Sequence, residues 1–261
     1  MKIKQHHILS LLLTLLFMAN TAHARVVKLV TFNYPPLFHT SVEGEFSGTV
    51  GETVKYACEQ TGLQCDIEVL PFKRAYQKID NKLADGIITI KVPRFEDCCT
   101  PTQWETPWSA GFFTHMKLNE TPQISNDVLG QSLIVVAGMR SPYAFMPQLD
   151  TWHKEKAVQL FTANDVYTAT RMFLSKRAPL LWGSDDFNWY FKKQNINKEP
   201  NFLPLIVRPI VIWFQKEQTD LQKTFNQAFA QIKANGKLDH KQLLHGELME
   251  KRYKDAPFQE K

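Results

Sequence analysis

Short apolar runs along the chain alternate with segments whose apolar residues recur at helical spacing. The β-branched run Val26 to Phe32 stops at Asn33-Tyr34-Pro35-Pro36, which predicts a strand followed by a rigid loop. A Thr49-Val50-Gly51-Glu52 capping-box pattern then opens an amphipathic helix, and Gly62 ends it. The same order continues with a strand over 65–70, a helix over 72–83 and a strand over 86–90. Strands that alternate with helices predict a largely parallel sheet covered on both faces.

A second strand-and-helix series begins after the polar segment 119–127. Its predicted elements are a strand over 132–137, a helix over 163–175, a strand over 178–182 and a helix over 186–193. The long apolar run Leu203 to Phe214 is interrupted at Arg208-Pro209, as expected for a chain that leaves one unit and returns to the other. A final amphipathic helix stops at Asn235-Gly236. No flexible linker separates the two series, so we predict two α/β lobes with a cleft between them.

The N-terminus has the pattern of a secretory signal peptide. Lys2 and Lys4 give it a positive start, and Ala22-His23-Ala24 supplies a small-x-small cleavage pattern. The apolar core from Ile8 to Met18 is about half the roughly 20 residues that a membrane-spanning helix needs. We therefore expect residues 1–24 to be removed by cleavage after Ala24, and the mature chain to lie in the periplasm.

Charge and catalytic motifs narrow the class of protein. The chain has 31 basic and 26 acidic residues, for a net charge of +5, and the two signs are interspersed. Nucleic-acid binding usually shows a concentrated basic stripe, so we expect no nucleic-acid partner. The sequence contains no G-x-S-x-G, H-E-x-x-H, Walker or G-x-G-x-x-G motif, and its histidines are scattered. These observations disfavour an enzyme and a cofactor.

The four cysteines are disulfide candidates in an exported chain. Cys58 and Cys65 flank a predicted helix end, a glycine turn and a strand start, a geometry that can bring their sulfur atoms together. Cys98 and Cys99 are adjacent, so they form either a vicinal bridge or two free thiols. No C-x-x-C pair and no histidine at ligand spacing accompanies them, so we expect no metal site.

Aromatic residues and arginines follow the ends of the predicted strands. Those after the first three strands and in the segment beyond are Tyr34, Phe72, Arg74, Arg94, Trp104, Trp108 and Phe112. Ligands of open α/β sheets bind outside the carboxyl ends of the strands. A guanidinium there can hold a carboxylate through two parallel hydrogen bonds, and an aromatic ring can pack on an apolar group or an ammonium. The pattern predicts a site for a small carboxylate.

The order of several short motifs resembles that of the family 3 extracellular solute-binding proteins. In that family a Tyr-Pro-Pro-Phe loop follows the first strand, and a Thr-x-x-Arg segment precedes a Phe-Ser-x-Pro-Tyr element. The matching segments here are Tyr34-Pro35-Pro36, Pro71-Phe72-Lys73-Arg74-Ala75, Ala84-Asp85-Gly86, Pro93-Arg94, Trp104-Glu105-Thr106-Pro107-Trp108, Val128-Leu129-Gly130-Gln131-Ser132 and Ala234-Asn235-Gly236-Lys237-Leu238. The resemblance covers nearly the whole chain after residue 24 and depends on the order of the motifs.

The resemblance implies an α/β chain with the two-lobed type II periplasmic-binding-protein fold. Each lobe is then a mostly parallel sheet flanked by helices, and the ligand cleft lies between the lobes. Residues 25–116 and 214–261 would form lobe one, residues 117–213 would form lobe two, and two crossing strands would form the hinge.

The resemblance also implies roles for individual residues. Arg94 would hold a ligand carboxylate, ahead of Arg74 and Arg140, while Tyr34 and Trp108 would line the cleft. Lobe two would add donors from Gly138, Arg140 and Ser141.

Two positions depart from the family pattern. Lys91 stands where the family has a threonine three residues before the arginine. Ser184 stands where many amino-acid binders carry the aspartate that pairs with the ligand ammonium, with Asp185 and Asp186 next to it.

The function that the resemblance implies is binding of a small polar ligand, an amino acid or a related carboxylate. The chain, acting as a monomer, would close around the ligand and deliver it to an ABC-type permease in the inner membrane or report it to a sensor. The alternative is a periplasmic enzyme on the same fold, a cyclohexadienyl-type dehydratase. That enzyme needs a positioned acid or base, for which Glu105, Asp185 and Asp186 are the candidates.

Overall fold

The computed structural model describes residues 25–194 and 200–236, which form two five-stranded mixed sheets with helices packed against them and one small two-stranded antiparallel sheet. The predicted signal peptide, its cleavage site and residues 237–261 lie outside the described residues. The strands are β1 (Val26–Phe32), β2 (His39–Thr40), β3 (Phe46–Ser47), β4 (Gln64–Leu70), β5 (Gly86–Ile90), β6 (Cys99–Pro101), β7 (Ser109–Thr114), β8 (Ser132–Val136), β9 (Gln159–Ala163), β10 (Leu180–Ser184), β11 (Asn201–Val207) and β12 (Ile210–Gln215). The helices are α1 (Thr49–Thr61), α2 (Phe72–Asp80), α3 (Ser141–Phe145), α4 (Leu149–Lys154), α5 (Val166–Leu174), α6 (Phe187–Lys193) and α7 (Thr219–Ala234).

The first sheet has the strand order β4-β1-β5-β12-β6. β1 runs parallel to both β4 and β5, whereas β12 runs antiparallel to β5 and β6. Its central strands are buried on both faces, which is why β5 reads as an unbroken apolar run. The carboxyl ends of three parallel strands therefore meet at one edge, just before Tyr34, Phe72 and the 3₁₀ turn Pro93–Phe95.

The second sheet has the strand order β11-β7-β10-β8-β9. β8 runs parallel to β9 and β10, and β7 runs antiparallel to β10 and β11. All six residues of β7 are buried, so no polar face marks the strand in the sequence. The carboxyl ends of β8 and β10 meet at one edge, where the chain continues into Gly138 to Ser141 and into Asp185-Asp186.

The chain passes between the two sheets through two short segments, 102–108 and 208–209. These segments pair with each other: Thr106 and Ile210 exchange backbone hydrogen bonds of 3.0 and 2.7 Å, and Arg208 N–H donates to Trp108 O at 3.0 Å. β7 thus lies in the second sheet and β12 in the first, so the exchange between sheets falls earlier than the expected boundaries at 116 and 213. The expected boundaries came from the family resemblance, whereas the break at Arg208-Pro209 in the apolar run coincides with the second crossing segment.

Helix α1 shows where local sequence rules held and where one failed. It ends at Gly62, whose φ of 68° is the left-handed conformation that a glycine adopts without strain. The predicted capping box at Thr49 is wrong, because Thr49 is the first helical residue and the N-cap is Gly48, which has no capping side chain. A Cβ at Gly48 would lie 2.3 Å from the Leu37 carbonyl oxygen, and φ there is 120°, so the position requires glycine.

All four cysteines are paired in two disulfides. Cys58 is bonded to Cys65, as the sequence predicts, and ties the end of α1 to the start of β4. Cys98 is bonded to Cys99, which settles the alternative that the sequence left open in favour of the vicinal bridge. This second bridge lies at the start of β6, next to β12.

Candidate functional site

The carboxyl edges of the two sheets enclose a small cavity, here called the inner chamber. Its aromatic lining is Phe32, Tyr34, Phe38, Phe72, Tyr76 and Trp108. Its aliphatic lining is Leu37, Ile90, Met139 and Ile210, and its polar lining is Thr89, Arg140 and Ser141. The chamber leaves ≈ 40 Å³ for the centres of water-sized molecules, and a single water needs roughly 10–15 Å³ on the same measure. In this conformation it has room for a few waters.

Tyr34 reaches the chamber because the chain turns immediately after β1. Tyr34 N–H donates to Phe38 O at 2.7 Å, and Leu37 N–H donates back to Tyr34 O at 3.0 Å. This turn directs the Tyr34 ring towards lobe two, where it lies 6.1 Å from the ring of Phe187 at the start of α6. The ring is 5% exposed.

A chain of hydroxyl groups joins the two lobes at Tyr34. Ser184 Oγ donates to Asp186 Oδ2 at 3.1 Å, and Tyr34 Oη lies 2.5 Å from the same Ser184 oxygen. Because the serine has one hydroxyl proton, the Tyr34 hydroxyl is the donor of the second bond. Ser184 and Asp186 are both buried. The carboxylate of Asp186 therefore lies behind a pair of hydrogen-bonded hydroxyls.

Burial raises the pKa of the Tyr34 phenol well above its usual value, and the negative charge of Asp186 raises it further. Tyr190 on α6 responds in the same way: burial raises its pKa, and Asp186 and Asp165 add to the shift. Both phenols are consequently neutral donors throughout the physiological range.

Tyr76 on α2 separates the inner chamber from a second cavity. Burial raises the pKa of Tyr76 to about 12, while the positive charges of Arg140 and Arg94 and a hydrogen bond with Thr89 oppose the shift. Its ring lies 5.3 Å from Phe32, inside the aromatic lining. The guanidinium of Arg94 lies 5.2 Å from the centroid of the same ring. Tyr76 thus contacts the chamber and the space beyond it.

That second cavity, here called the outer cleft, has a volume of ≈ 570 Å³ and shares Tyr76, Met139 and Arg140 with the inner chamber. Its polar walls include Lys73, Asp80, Arg94, Asp150 and His153. Arg94 Nη2 donates to both carboxylate oxygens of Asp80, at 2.8 and 2.7 Å. The guanidinium that the sequence assigns to a ligand carboxylate is therefore engaged by a carboxylate of its own lobe.

The segment after β8 brings lobe two against lobe one. Gly138 has a φ of 79°, and a Cβ there would lie 3.1 Å from Phe72 Cβ, so glycine permits the close approach. Arg140 is exposed, and among the described residues its guanidinium has no hydrogen bond or ion pair. Ser141 Oγ accepts a hydrogen bond of 3.0 Å from Trp182 Nε1–H, which leaves the serine hydroxyl proton available to another acceptor.

The predicted site residues divide into three groups in the structure. Tyr34, Trp108, Arg140 and Ser141 line the inner chamber. Arg94 and Gly138 line the outer cleft only. Arg74, which is exposed on α2, and Asp185, which follows β10, line neither cavity.

Sequence reasoning missed part of the chamber lining. Thr89 is a single polar residue within the apolar strand β5, and Phe38 follows the Tyr34-Pro35-Pro36 motif. The motif itself was the signal that could have pointed to Phe38. Met139 carries no such signal, because methionine is usual in apolar cores.

Solved structures with the same fold are numerous, although no family model and no curated sequence matches the chain. A mutant of ArgBP from T. maritima aligns with a TM-score of 0.66 and 16% identity over 82% of this chain and 92% of that chain. An ABC uptake transporter substrate binding protein from Streptococcus pneumoniae with bound histidine gives 0.68 and 14% over 83% and 92%. A histidine kinase sensor domain with similarity to periplasmic binding proteins gives 0.66 and 12% over 82% and 93%.

These matches confirm the predicted fold: the chain has the two-lobed α/β architecture of the periplasmic binding proteins. Among the described residues, no helix has the length and apolar character needed to cross a membrane. The same residues contain no group of three histidine, cysteine or acidic side chains arranged to hold a metal ion.

Proposed function

We propose that this chain is a solute-binding protein whose lobes close around a small organic carboxylate. The observation that carries the proposal is the inner chamber, since its lining comes from the carboxyl edges of both sheets, from Trp108 in the first crossing segment and from Ile210 at the start of β12. A ligand in that position contacts both lobes, and only a ligand that binds the closed state better than the open one can shift the balance between them.

The carboxylate anchor that we propose is Arg140. Its guanidinium reaches both cavities and has no partner among the described residues, whereas Arg94 is held by Asp80 in the outer cleft. Ser141 lies next to it with a hydroxyl proton to donate. Hydrogen bonds in which a partner is ionised are roughly twice as strong as neutral ones. Arg140 and Ser141 together are therefore suited to bind a carboxylate. Arg94 and Lys73 then serve as further positive charges in the outer cleft.

Opening of the lobes is part of the proposal, because ≈ 40 Å³ of space does not admit an organic solute. The paired segments 102–108 and 208–209 are the backbone connections about which the lobes can turn. Periplasmic binding proteins are a standard example of such hinge closure.

The described lining of the chamber supports binding over the dehydratase alternative. None of the lining residues is a carboxylate, imidazole or thiol that could act as a general acid or base. Burial raises the pKa of the two phenols in the lining, Tyr34 and Tyr76, which keeps both protonated and therefore unsuited to act as a base. Asp186, the buried acid nearest to Tyr34, already accepts the Ser184 hydroxyl.

The proposed function includes a location, the periplasm, and a protein that receives the solute or the signal. The signal-peptide pattern of residues 1–24 supports a periplasmic protein, as does the motif order shared with the family 3 solute-binding proteins. Structural neighbours with this fold include both a transporter-associated binding protein and a sensor domain, which supports an ABC-type permease or a sensor as the recipient. We propose that the chain acts as a monomer.

A thermal-shift screen of the mature protein against small carboxylates and amino acids tests the function. A solute present at 100 times its dissociation constant stabilises the folded state by roughly 2.7 kcal/mol, a shift that is readily measured. We expect a hit among the carboxylates whose effect is lost in Arg140→Gln and kept in Arg74→Gln, since Arg74 lines neither cavity. A protein that no solute of a broad panel stabilises would contradict the proposal.

A further inference from the structure

We propose, on the basis of the function proposed above, that the solute is a carboxylate with an apolar body and no primary ammonium group. The chamber would then reject α-amino acids in favour of their desamino analogues. The inference rests on the chamber lining, on the hydroxyl chain from Tyr34 to Asp186, and on the unpaired state of Arg140.

The interior of the chamber is suited to an apolar body. Ten of the thirteen lining residues are aromatic or aliphatic, and the rings pack against each other. The centroids of Phe32 and Phe72 are 4.4 Å apart, and those of Tyr34 and Phe72 are 6.2 Å apart. An apolar group placed there lowers the free energy of binding because its surface is removed from water. A polar group in the same place raises that free energy unless it finds a hydrogen-bond partner.

An ammonium group would find no acidic partner in the described lining of the chamber. No aspartate or glutamate lines the inner chamber in the part of the chain that the structure describes. A buried charge without a partner of opposite sign loses its hydration with little in return, so an amino acid would bind with its ammonium uncompensated.

The buried acid that could have served this purpose is engaged elsewhere. Asp186 accepts the Ser184 hydroxyl, and Ser184 in turn accepts the Tyr34 hydroxyl. Asp186 does not line the chamber, and its carboxylate is hydrogen-bonded to Ser184, which in turn holds Tyr34 of the lining. Aspartate at position 184 would have pointed a carboxylate towards Tyr34. The serine therefore changes the chemistry of the site.

The aromatic rings do not replace the missing acid for a simple cation. Aromatic faces attract cations, but Arg140 lines the same chamber and its positive charge opposes a second one. The same guanidinium attracts an anion, and Ser141 offers its hydroxyl proton beside it. The polar end of the chamber thus favours a carboxylate directed towards Arg140, where the chamber meets the outer cleft.

Calorimetry with matched pairs of acids tests the inference. The pairs are 4-methylpentanoate with leucine and 3-phenylpropanoate with phenylalanine, which differ by the ammonium group alone. We expect at least one desamino acid to bind, and to bind at least tenfold more tightly than its amino acid, a difference of about 1.4 kcal/mol. Equal or tighter binding of the amino acids overturns the inference.

Two variants locate the carboxylate. Arg140→Gln should weaken the desamino acid at least about 30-fold, while Arg74→Gln, an exposed arginine outside both cavities, should stay within about twofold of the parent. Unchanged affinity in Arg140→Gln overturns the placement. Because Arg140 is exposed, the variant is expected to fold, and its melting curve in the absence of ligand verifies this.

The outcomes separate this inference from the proposed function. If another solute binds and neither desamino acid does, the inference fails and the binding function stands. If no solute of the broad panel binds, the function fails, and the inference fails with it.

Discussion

Arg94 and Arg140 lie on opposite lobes, line the same outer cleft and differ in their partners. Arg94 is held by both oxygens of Asp80, and its charge also faces the ring of Tyr76. The positive charge of Arg140 opposes the rise in the pKa of Tyr76 and of Tyr143, and Arg140 has no hydrogen-bonded or ion-paired acid among the described residues. A carboxylate that enters the cleft gains more from the unpaired guanidinium.

Comparison of Arg94→Gln with Arg140→Gln tests this difference directly. Loss of the buried partner of a carboxylate typically costs about 2–5 kcal/mol, so Arg140→Gln should weaken solute binding by at least about 30-fold. The Arg94–Asp80 pair is 38% and 52% exposed, and such pairs contribute about 0–1 kcal/mol to stability. We therefore expect Arg94→Gln to change affinity by less than about threefold in calorimetry. A 30-fold loss in Arg94→Gln would instead return the anchor to the position that the sequence motif favours.

Removal of the Tyr34 hydroxyl should loosen the contact between the lobes. Tyr34→Phe keeps the ring but deletes the hydrogen bond to Ser184, a bond worth about 0.5–1.5 kcal/mol. We expect the radius of gyration of the ligand-free protein to increase in X-ray scattering and solute affinity to fall by about two- to tenfold. Tyr143→Phe is the matched control, since its hydroxyl donates to Asp150 within the same lobe. Identical scattering curves for the parent and Tyr34→Phe would contradict the expectation.

The buried tyrosines should make the protein sensitive to alkaline pH. Burial raises the pKa of Tyr76 to about 12, so the unfolded chain releases this proton near its ordinary pKa of about 10 while the folded chain keeps it. The contribution to stability is complete below about pH 10 and is lost as the pH rises towards about 12, at up to roughly 1.4 kcal/mol per pH unit.

Denaturant melts of the parent and of Tyr76→Phe between pH 8 and pH 12 check this expectation. The variant should show a shallower fall of the unfolding free energy above about pH 10, because one raised pKa is gone. Equal slopes in the two proteins would show that Tyr76 does not contribute.

The sequence could predict site residues that follow strand ends or lie in family motifs, but not the contacts that depend on tertiary structure. Tyr34, Trp108, Arg140 and Ser141 follow strand ends or family motifs, and strand ends are where open sheets place ligands. The pairing of Arg94 with Asp80 depends on the last turn of α2 lying beside a 3₁₀ turn, a tertiary arrangement without a signal in the sequence. The same is true of the hydrogen bond between Tyr34 and Ser184, which are 150 positions apart.

At the scale of elements, the sequence predicted those that have a strong period and clear ends. β1, β5, β8 and β10 are apolar runs closed by turn residues, and α1 and α7 have one apolar face. β9 was missed because its five residues lie at the edge of the sheet, where most of them are exposed or half-buried. The segment 163–175 was predicted as a single helix. α5 begins instead at Val166, behind an Asp165 cap whose carboxylate accepts Thr168 N–H at 2.7 Å.

The Cys58–Cys65 bridge should stabilise the chain where α1 meets β4. It closes a short loop, with a sequence separation of 7, so the chain-entropy relation gives a contribution of about 2–3 kcal/mol. Cys58→Ser with Cys65→Ser should lower the unfolding free energy in denaturant melts by that amount. Cys98→Ser with Cys99→Ser is the control, since adjacent residues enclose no appreciable loop and little entropy is involved. A larger loss in the control pair would exclude the entropic explanation.

For the whole molecule, the sequence predicted two lobes and a return between them at Arg208-Pro209, but not the first change of sheet at 102–108. β7 and β12 are both wholly buried, six-residue strands, so neither shows a polar face that would distinguish its sheet. The sheet to which each strand belongs is decided by its hydrogen-bonded neighbours: β7 lies between β10 and β11, and β12 lies between β5 and β6. We place the lobe boundaries at the crossing segments 102–108 and 208–209.

The position of β12 has a consequence for the order in which the chain can fold during its synthesis. The second sheet consists of one uninterrupted stretch, residues 109–207, whereas the first sheet has a gap between β5 and β6 until β12 has emerged. We therefore expect the first sheet to be completed only after β12 has been synthesised. In chains truncated after residue 207, hydrogen exchange should show protected amides in β8 and β10 and unprotected amides in β5.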